Sequence, residues 1–166
     1  MKTKDVQIAI GRLALEKGHV PVIQNVKYLI ASWELDVVSF TERGFMYEYE
    51  VKVSRSDFLA DAKKKVRKFQ LYEARHSKNW LMIPNFFSYC CPENLIQKDE
   101  IPEYAGLYWV TAEGRVIEKK RPKRLHGNVR DLLKTYRKCM RVRSERDFFG
   151  CSMMTFKNRE LKKRYG

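Results

Sequence analysis

Glu50 and Lys52 stand two residues apart in a segment, Phe45 to Val53, where Tyr47, Tyr49, Val51 and Val53 alternate with Glu48, Glu50 and Lys52. In a strand, that alternation puts a carboxylate and an ammonium on one face. Asp36 lies in the preceding strand-like segment, Glu34 to Thr41. Glu42-Arg43-Gly44 reads as a tight turn between the two. If the turn has three residues, Thr41 pairs with Phe45, and the register sets Asp36 opposite Glu50. Two converging carboxylates suit a hard divalent cation such as Mg²⁺ or Mn²⁺, with the backbone carbonyl of Val51 as a further oxygen. Such an ion polarises a phosphate oxygen and lowers the pKa of a bound water. Lys52 would hold that water or offset the charge that grows on the phosphate. Asp36, Glu50 and Lys52 are therefore the candidate catalytic set, and hydrolysis of a phosphodiester the candidate reaction. The alternative is an exposed acid on an edge strand beside an ordinary surface pair. Against it, Glu34, Asp36, Glu48 and Glu50 crowd two adjacent strands, and stacked like charges need a counter-ion or wide separation.

The elements around this hairpin are expected as follows. Val6 to Lys17 has a helical apolar stripe (Val6, Ile10, Leu13), stopped by Gly18. His19 to Val26 links it to the hairpin, with a short extended piece, and Lys27 to Trp33 fits helix or strand. Ser56 is a candidate N-cap for a long helix reaching about Arg75, with Phe58, Ala62, Val66, Phe69 and Tyr72 inward and the lysines outward. Trp80 to Ile83 reads as a short buried strand closed by Pro84, and residues 85–105 as loop-rich. Leu107 to Thr111 and Arg115 to Glu118 form a second hairpin around Ala112-Glu113-Gly114. A helix from Asn128 to about Arg141 turns Val129, Leu132, Leu133 and Tyr136 inward. A length of 166 residues suits one domain, 1–166, with a basic helical extension from about 126.

The formal net charge is +14 and is unevenly spread. Residues 1–115 hold 17 basic and 15 acidic side chains; residues 116–166 hold 17 and 5. A net of +12 in the last third points to a polyanionic partner. Lys119, Lys120, Arg121, Lys123 and Arg124 form the densest run, and Arg130, Lys134, Arg137 and Arg141 share one face of the expected helix. These suit phosphate contacts, which hold nucleic acid without reading its bases. Arg159, Lys162, Lys163 and Arg164 extend the basic surface. No long apolar run or export signal appears, so a cytoplasmic protein without a membrane segment is expected. The four cysteines, Cys90, Cys91, Cys139 and Cys151, then read as free thiols.

Glu34-Leu35-Asp36-Val37-Val38, Tyr49-Glu50-Val51-Lys52 and the continuation Ser54-Arg55-Ser56-Asp57-Phe58 with Asp61 resemble the PD-(D/E)XK nuclease superfamily in its small restriction-endonuclease-like form. The continuation is similar to the one in MmcB-like proteins associated with DNA repair and in related phage or bacterial proteins of unknown role, and Gly106-Leu107-Tyr108-Trp109-Val110 echoes a strand of those proteins. The resemblance covers about residues 34–124. It implies an α/β fold with a central mixed sheet flanked by helices and an α-β-β-β-α-β core. It implies a metal-dependent DNA endonuclease or a structure-selective repair nuclease, or else a DNA-binding module that keeps the fold with little or no cleavage, and a homodimer. Asp36 and Glu50 would be metal ligands, joined by Glu16 from the first helix, and Lys52 the catalytic lysine. Glu34 and Glu48 would stand behind them or hold a second ion, and Gln70 would fill the Gln position some of these nucleases carry or be plain helix surface. Asp57 in the first helical turn suits the orphan amides there, Asp61 would pair with Lys64, Lys65 or Arg55 or else orient Lys52, and Arg55 would grip a phosphate or stand as an exposed turn residue. The proline usual before the first Asp is replaced here by Leu35.

Overall fold

A computed structural model describes residues 1–27, 29–30, 33–64, 66–74 and 80–149. It is an α/β fold: one mixed six-stranded sheet flanked by helices. The elements are α1 (Thr3–Glu16), β1 (Val22–Lys27), β2 (Glu34–Phe40), β3 (Met46–Val51), α2 (Arg55–Lys64), α3 (Val66–Glu73), a 3-10 turn (Trp80–Met82), β4 (Phe86–Pro92), β5 (Gly106–Val110), β6 (Val116–Lys120) and α4 (Leu132–Phe149). The strands stand side by side in chain order. β1, β2 and β3 are antiparallel, β3, β4 and β5 are parallel, and β6 returns antiparallel to β5. The parallel step from β3 to β4 requires a crossover, which α2 and α3 supply.

The first hairpin has the register expected from its sequence. Phe40 faces Met46 and Val37 faces Tyr49, and the Thr41 amide donates to the Phe45 carbonyl at 2.9 Å. Gly44 closes the turn at φ +82°, where a side chain is strained. A Cβ there would also sit 2.4 Å from the Arg130 carbonyl oxygen, because Arg130 donates its amide to the Gly44 carbonyl. Gly44→Ala is therefore expected to cost at least about 1–3 kcal/mol from backbone strain alone, read as a lower urea midpoint.

α1 lays Val6, Ala9 and Ile10 on Val37, Tyr49, Val51, Cys90, Tyr108 and Val110, which cover one sheet face. The other face is shared. α2, α3 and the loop before β5 cover Phe87, Tyr89, Leu107 and Trp109. α4 places Cys139 and Val142 over Val38, Phe40 and Met46. The second hairpin is also as expected, with Val110 facing Val116 and Gly114 at φ +82°.

Three expectations are corrected. Trp80–Met82 is a 3-10 turn with Leu81 exposed, and the strand lies later, at Phe86–Pro92, inside the stretch read as loop. β4 has parallel neighbours on both sides, and its central residues are buried on both faces, so Phe87-Ser88-Tyr89-Cys90-Cys91 shows no alternation to read. The long helix is capped by Ser54 rather than Ser56: the Asp57 amide donates to Ser54 Oγ at 3.2 Å. The basic helix starts at Leu132, with Asp131 Oδ1 accepting from the Lys134 amide, and runs to Phe149. It buries Cys139 and Val142, while Val129, Leu133 and Tyr136 are exposed. The side chains of Ala62 and Val66, His76, and the whole tail from 150, including Cys151, Arg159, Lys162, Lys163 and Arg164, lie outside the described residues. The other three cysteines are buried free thiols.

Candidate functional site

Alternation along β3 separates its side chains cleanly. Tyr49 and Val51 join the core beneath α1, while Glu48, Glu50 and Lys52 point to the face roofed by α2 and α3. There they meet Asp57 and Asp61 of α2 and Lys68 and Tyr72 of α3. Lys52 Nζ stands 3.0 Å from Glu50 Oε1, 3.0 Å from Asp61 Oδ2 and 3.4 Å from Asp57 Oδ2. Lys68 Nζ bridges Glu50 Oε2 at 2.6 Å and Glu48 Oε1 at 2.5 Å. The Tyr72 hydroxyl donates to Glu48 Oε2 at 2.6 Å. One chain of contacts therefore runs Asp61, Lys52, Glu50, Lys68, Glu48, Tyr72. Exposure falls along it, from 51% at the Asp57 side chain to 5% at Asp61, 2% at Lys68 and 0% at Glu48.

Burial by itself pushes both lysines down. For Lys52 the charges and hydrogen bonds of Glu50 and Asp61 outweigh it, and for Lys68 those of Glu48 and Glu50, so both are held above the ordinary lysine range. Both are ammoniums at any working pH. Burial, then Glu48, raises the Tyr72 hydroxyl well above its usual range and keeps it a donor. The sequence required a counter-ion for the stacked acids of the hairpin. Lys68 supplies it at Glu48 and Glu50, whereas the helical pattern alone turns the lysines of this segment outward. A signal was present: Asp61, Lys68 and Tyr72 fall at offsets of seven and four, one face of a helix.

Asp36 sits where the β2–β3 ladder ends. One step beyond the Val37–Tyr49 pair, the register sets it opposite Glu50. Its Oδ2 accepts from the Val51 amide at 2.8 Å, so the carboxylate rather than the β2 backbone closes the ladder. The Cys90 thiol, buried beside them, is pushed well above its usual range by burial, then by Cys91, Asp36 and Glu50. Among the described residues, no group of three or more His, Cys, Asp or Glu side chains is gathered tightly enough to hold a metal unaided. The acids are instead strung along the chain of ammoniums. Glu48, Glu50, Asp57 and Asp61 bring four carboxylates to the two ammoniums. All-oxygen donors are of the kind a hard divalent cation takes, but both Glu50 oxygens already face ammoniums and Asp36 Oδ2 accepts from the Val51 amide.

Several expected site residues are not brought here. Glu16 is exposed at the C-terminal end of α1, on the opposite sheet face. Gln7 is the α1 residue that reaches the Asp36 carbonyl, at 3.4 Å, and Glu16 lies nine residues, or about 13 Å of helix, further on. Glu34 is exposed and pairs with Lys27 across the β1–β2 edge at 3.1 Å. Gln70 is on the outer side of α3, lining a separate cavity of about 410 Å³ with Phe58, Phe69 and Tyr89. Arg55 is held in a bidentate pair with Glu100, at 2.6 and 2.8 Å, and also donates to the Leu95 carbonyl. That grip fixes the loop before β5 to the start of α2 and occupies the guanidinium proposed for phosphate.

The basic residues divide in the same way. Arg130 precedes α4, packs on Trp80 and donates to the Ile83 carbonyl at 2.9 Å and the Leu81 carbonyl at 3.1 Å; burial lowers its pKa to about 10. It is a structural clamp. Lys120 donates to the Pro102 carbonyl, Lys123 pairs with Glu103, and Lys119 lies over the Trp109 ring. Arg121 is 3.5 Å from Glu118, and Arg141 is 3.7 Å from Glu145. Arg124, Lys134 and Arg137 are exposed. If the α4 cations contact phosphates, the double variant Lys134→Ala/Arg137→Ala should weaken DNA binding alike for all sequences. The slope of log K against log salt should become shallower by about 2, measured by fluorescence anisotropy over a salt series. An unchanged slope excludes these two residues from the contact.

No helix among the described residues is long and apolar enough to cross a membrane. No protein-family model matches the chain, and no curated protein matches it in sequence. In fold the chain is similar to a protein of unknown function from Silicibacter pomeroyi, with a TM-score of 0.63 over 88% of this chain and 90% of that one. At 14% identity the likeness is one of fold alone.

Proposed function

We propose that the protein is a metal-dependent DNA endonuclease of the restriction-endonuclease-like kind, with Asp36 and Glu50 as metal ligands and Lys52 as the catalytic lysine. The observation that carries this reading is the register of the first hairpin. It pairs Val37 with Tyr49, Asp36 Oδ2 accepts from the Val51 amide just beyond that pair, and Lys52 Nζ stands 3.0 Å from Glu50. The order α1, β1, β2, β3, α2/α3, β4, with β4 parallel to β3, supports it as the α-β-β-β-α-β core that the sequence resemblance implies. When bound, the ion would activate a water and draw charge from the phosphate. Lys52, fixed by Glu50 and Asp61, would present an ammonium to the phosphate side of the site. Asp57 and Asp61 aim it, and the exposed Arg124, Lys134 and Arg137 would attract the DNA backbone.

A second reading, a DNA-binding module with this fold and little cleavage, is favoured by one specific observation: both oxygens of Glu50 already face ammoniums. The test is incubation of the pure protein with labelled duplex, flap, junction and single-stranded DNA, and with RNA, in Mg²⁺, Mn²⁺ or chelator. Cleavage of DNA that requires the ion supports the nuclease. Tight binding with no cleavage in any metal supports the module and removes the enzyme.

A further inference from the structure

Another cavity, of about 520 Å³, lies between α4 and the 3-10 turn, on the sheet face that α4 covers. Much of its wall is apolar, from Ile30, Phe40, Trp80, Leu81 and Val129. Leu81 and Val129 are exposed, so the opening is apolar as well. Its size falls in the range of about 300–1,000 Å³ usual for small-molecule sites.

Three cations edge this wall. Arg130, Lys134 and Lys138 recur every four residues, and Lys134 and Lys138 share one face of α4. Lys138 Nζ donates to the Leu29 carbonyl at 2.5 Å. Arg130 donates to the Leu81 and Ile83 carbonyls, and its buried Nε meets no acceptor among the described residues. Asp131 is the acid of the lining, and its Oδ1 is engaged by the Lys134 amide. Burial lowers the Lys138 ammonium, Arg141, Arg130 and Lys134 add to that, and the Cys139 thiol opposes it. Among the described residues no carboxylate offsets this crowding. Cations gathered beside an apolar wall favour an anion that carries an apolar body. Asp131 and Thr135 stand in the same lining. They suit a body with hydrogen-bonding groups of its own, which an alkyl chain lacks. Trp80 supplies a ring on which a base can stack.

We propose that this cavity binds a nucleoside monophosphate, with the phosphate between Lys134 and Lys138 and the base against Trp80 and Ile30. A free nucleotide and the phosphorylated end of a strand present the same chemistry. The proposal needs neither a metal ion nor a cleaved bond, so it stands apart from the nuclease reading.

The test is titration calorimetry on the full chain in chelator. The probes are thymidine 5′-monophosphate, thymidine, inorganic phosphate and decanoate. The nucleotide is expected to bind best. Thymidine and inorganic phosphate should each bind at least about tenfold more weakly, the loss expected when charge-assisted hydrogen bonds or the base contacts are missing. Lys134→Gln/Lys138→Gln should weaken the nucleotide by at least about tenfold. Arg12→Gln, which removes an exposed charge from α1 on the other sheet face, should stay within about twofold of wild type. Leu81→Glu places a carboxylate at the opening from an exposed position and should weaken the nucleotide too; it decides the matter if the lysine variant does not fold. No binding of the nucleotide at millimolar concentration overturns the proposal. So does equal affinity for inorganic phosphate, tighter binding of decanoate, an equal loss in Arg12→Gln, or wild-type affinity in Leu81→Glu and the lysine variant. A 5′-phosphorylated oligonucleotide that outcompetes its dephosphorylated twin, with the advantage lost in Lys134→Gln/Lys138→Gln, supports the proposal with strand ends as the source. Nucleotide binding without that advantage supports it with the free nucleotide as the source.

Discussion

Lys68→Met is expected to lose about 3–5 kcal/mol of stability, the usual cost of removing one partner from a buried ion pair. The reason is what the methionine leaves behind. Glu48 and Glu50 are almost wholly buried on one strand face, and Lys68 contacts both. Without the ammonium, Glu50 keeps Lys52 and Glu48 keeps only the Tyr72 hydroxyl, so Glu48 must be protonated, hydrated by local opening, or moved by shifting α3. The measurement is a urea unfolding curve at neutral pH. The double variant Glu48→Gln/Lys68→Met removes one charge of each sign and is expected to recover part of the loss, which is the signature of coupling in a double-mutant cycle. A Lys68→Met curve within about 0.5 kcal/mol of wild type, the range of ordinary surface substitutions, would show that Lys68 does not carry the buried acids.

Lys52→Ala is expected to abolish metal-dependent DNA cleavage, by at least about 100–1,000-fold in kcat, the range for loss of one preorganised group that stabilises transition-state charge. DNA binding should change little, because the basic surface lies elsewhere and Lys52 is 3% exposed. Single-turnover cleavage and a binding isotherm, run side by side, separate the two effects. Lys52→Ala also breaks buried pairs with Glu50 and Asp61, so folding is checked first. Asp61→Asn offers a milder probe. It keeps the ammonium and loosens its aim, so kcat should fall with KM nearly unchanged. Cleavage by Lys52→Ala equal to wild type would place the chemistry somewhere other than this strand.

The front of the chain was legible because its information is local. Tyr47, Glu48, Tyr49, Glu50, Val51 and Lys52 alternate, and alternation fixes which side chains share a face. A three-residue turn fixes the register, so the Phe40–Met46 and Val37–Tyr49 pairings followed from counting. The second hairpin at Gly114 was legible for the same reason. β4 was not, since a strand buried on both faces carries no period. The inward face of α4 was misread because that helix contacts the sheet through a narrow stripe, Cys139 and Val142, and leaves larger apolar residues exposed.

The sequence by itself determined that Glu48, Glu50 and Lys52 share one strand face, the concentration of positive charge after residue 115 and the need for a counter-ion among the hairpin acids. Only the tertiary structure decided where that counter-ion comes from, that Asp57 and Asp61 both reach Lys52, and that Arg55, Arg130, Lys120 and Lys123 have protein partners. The physical reason is range. Strand faces and turn registers depend on residues a few positions apart. The fate of a charge depends on whichever carboxylate or carbonyl the folded chain brings within about 3 Å of it. Lys68 and Glu50 are 18 residues apart, and Arg130 and Ile83 are 47 apart. No local pattern records such a meeting.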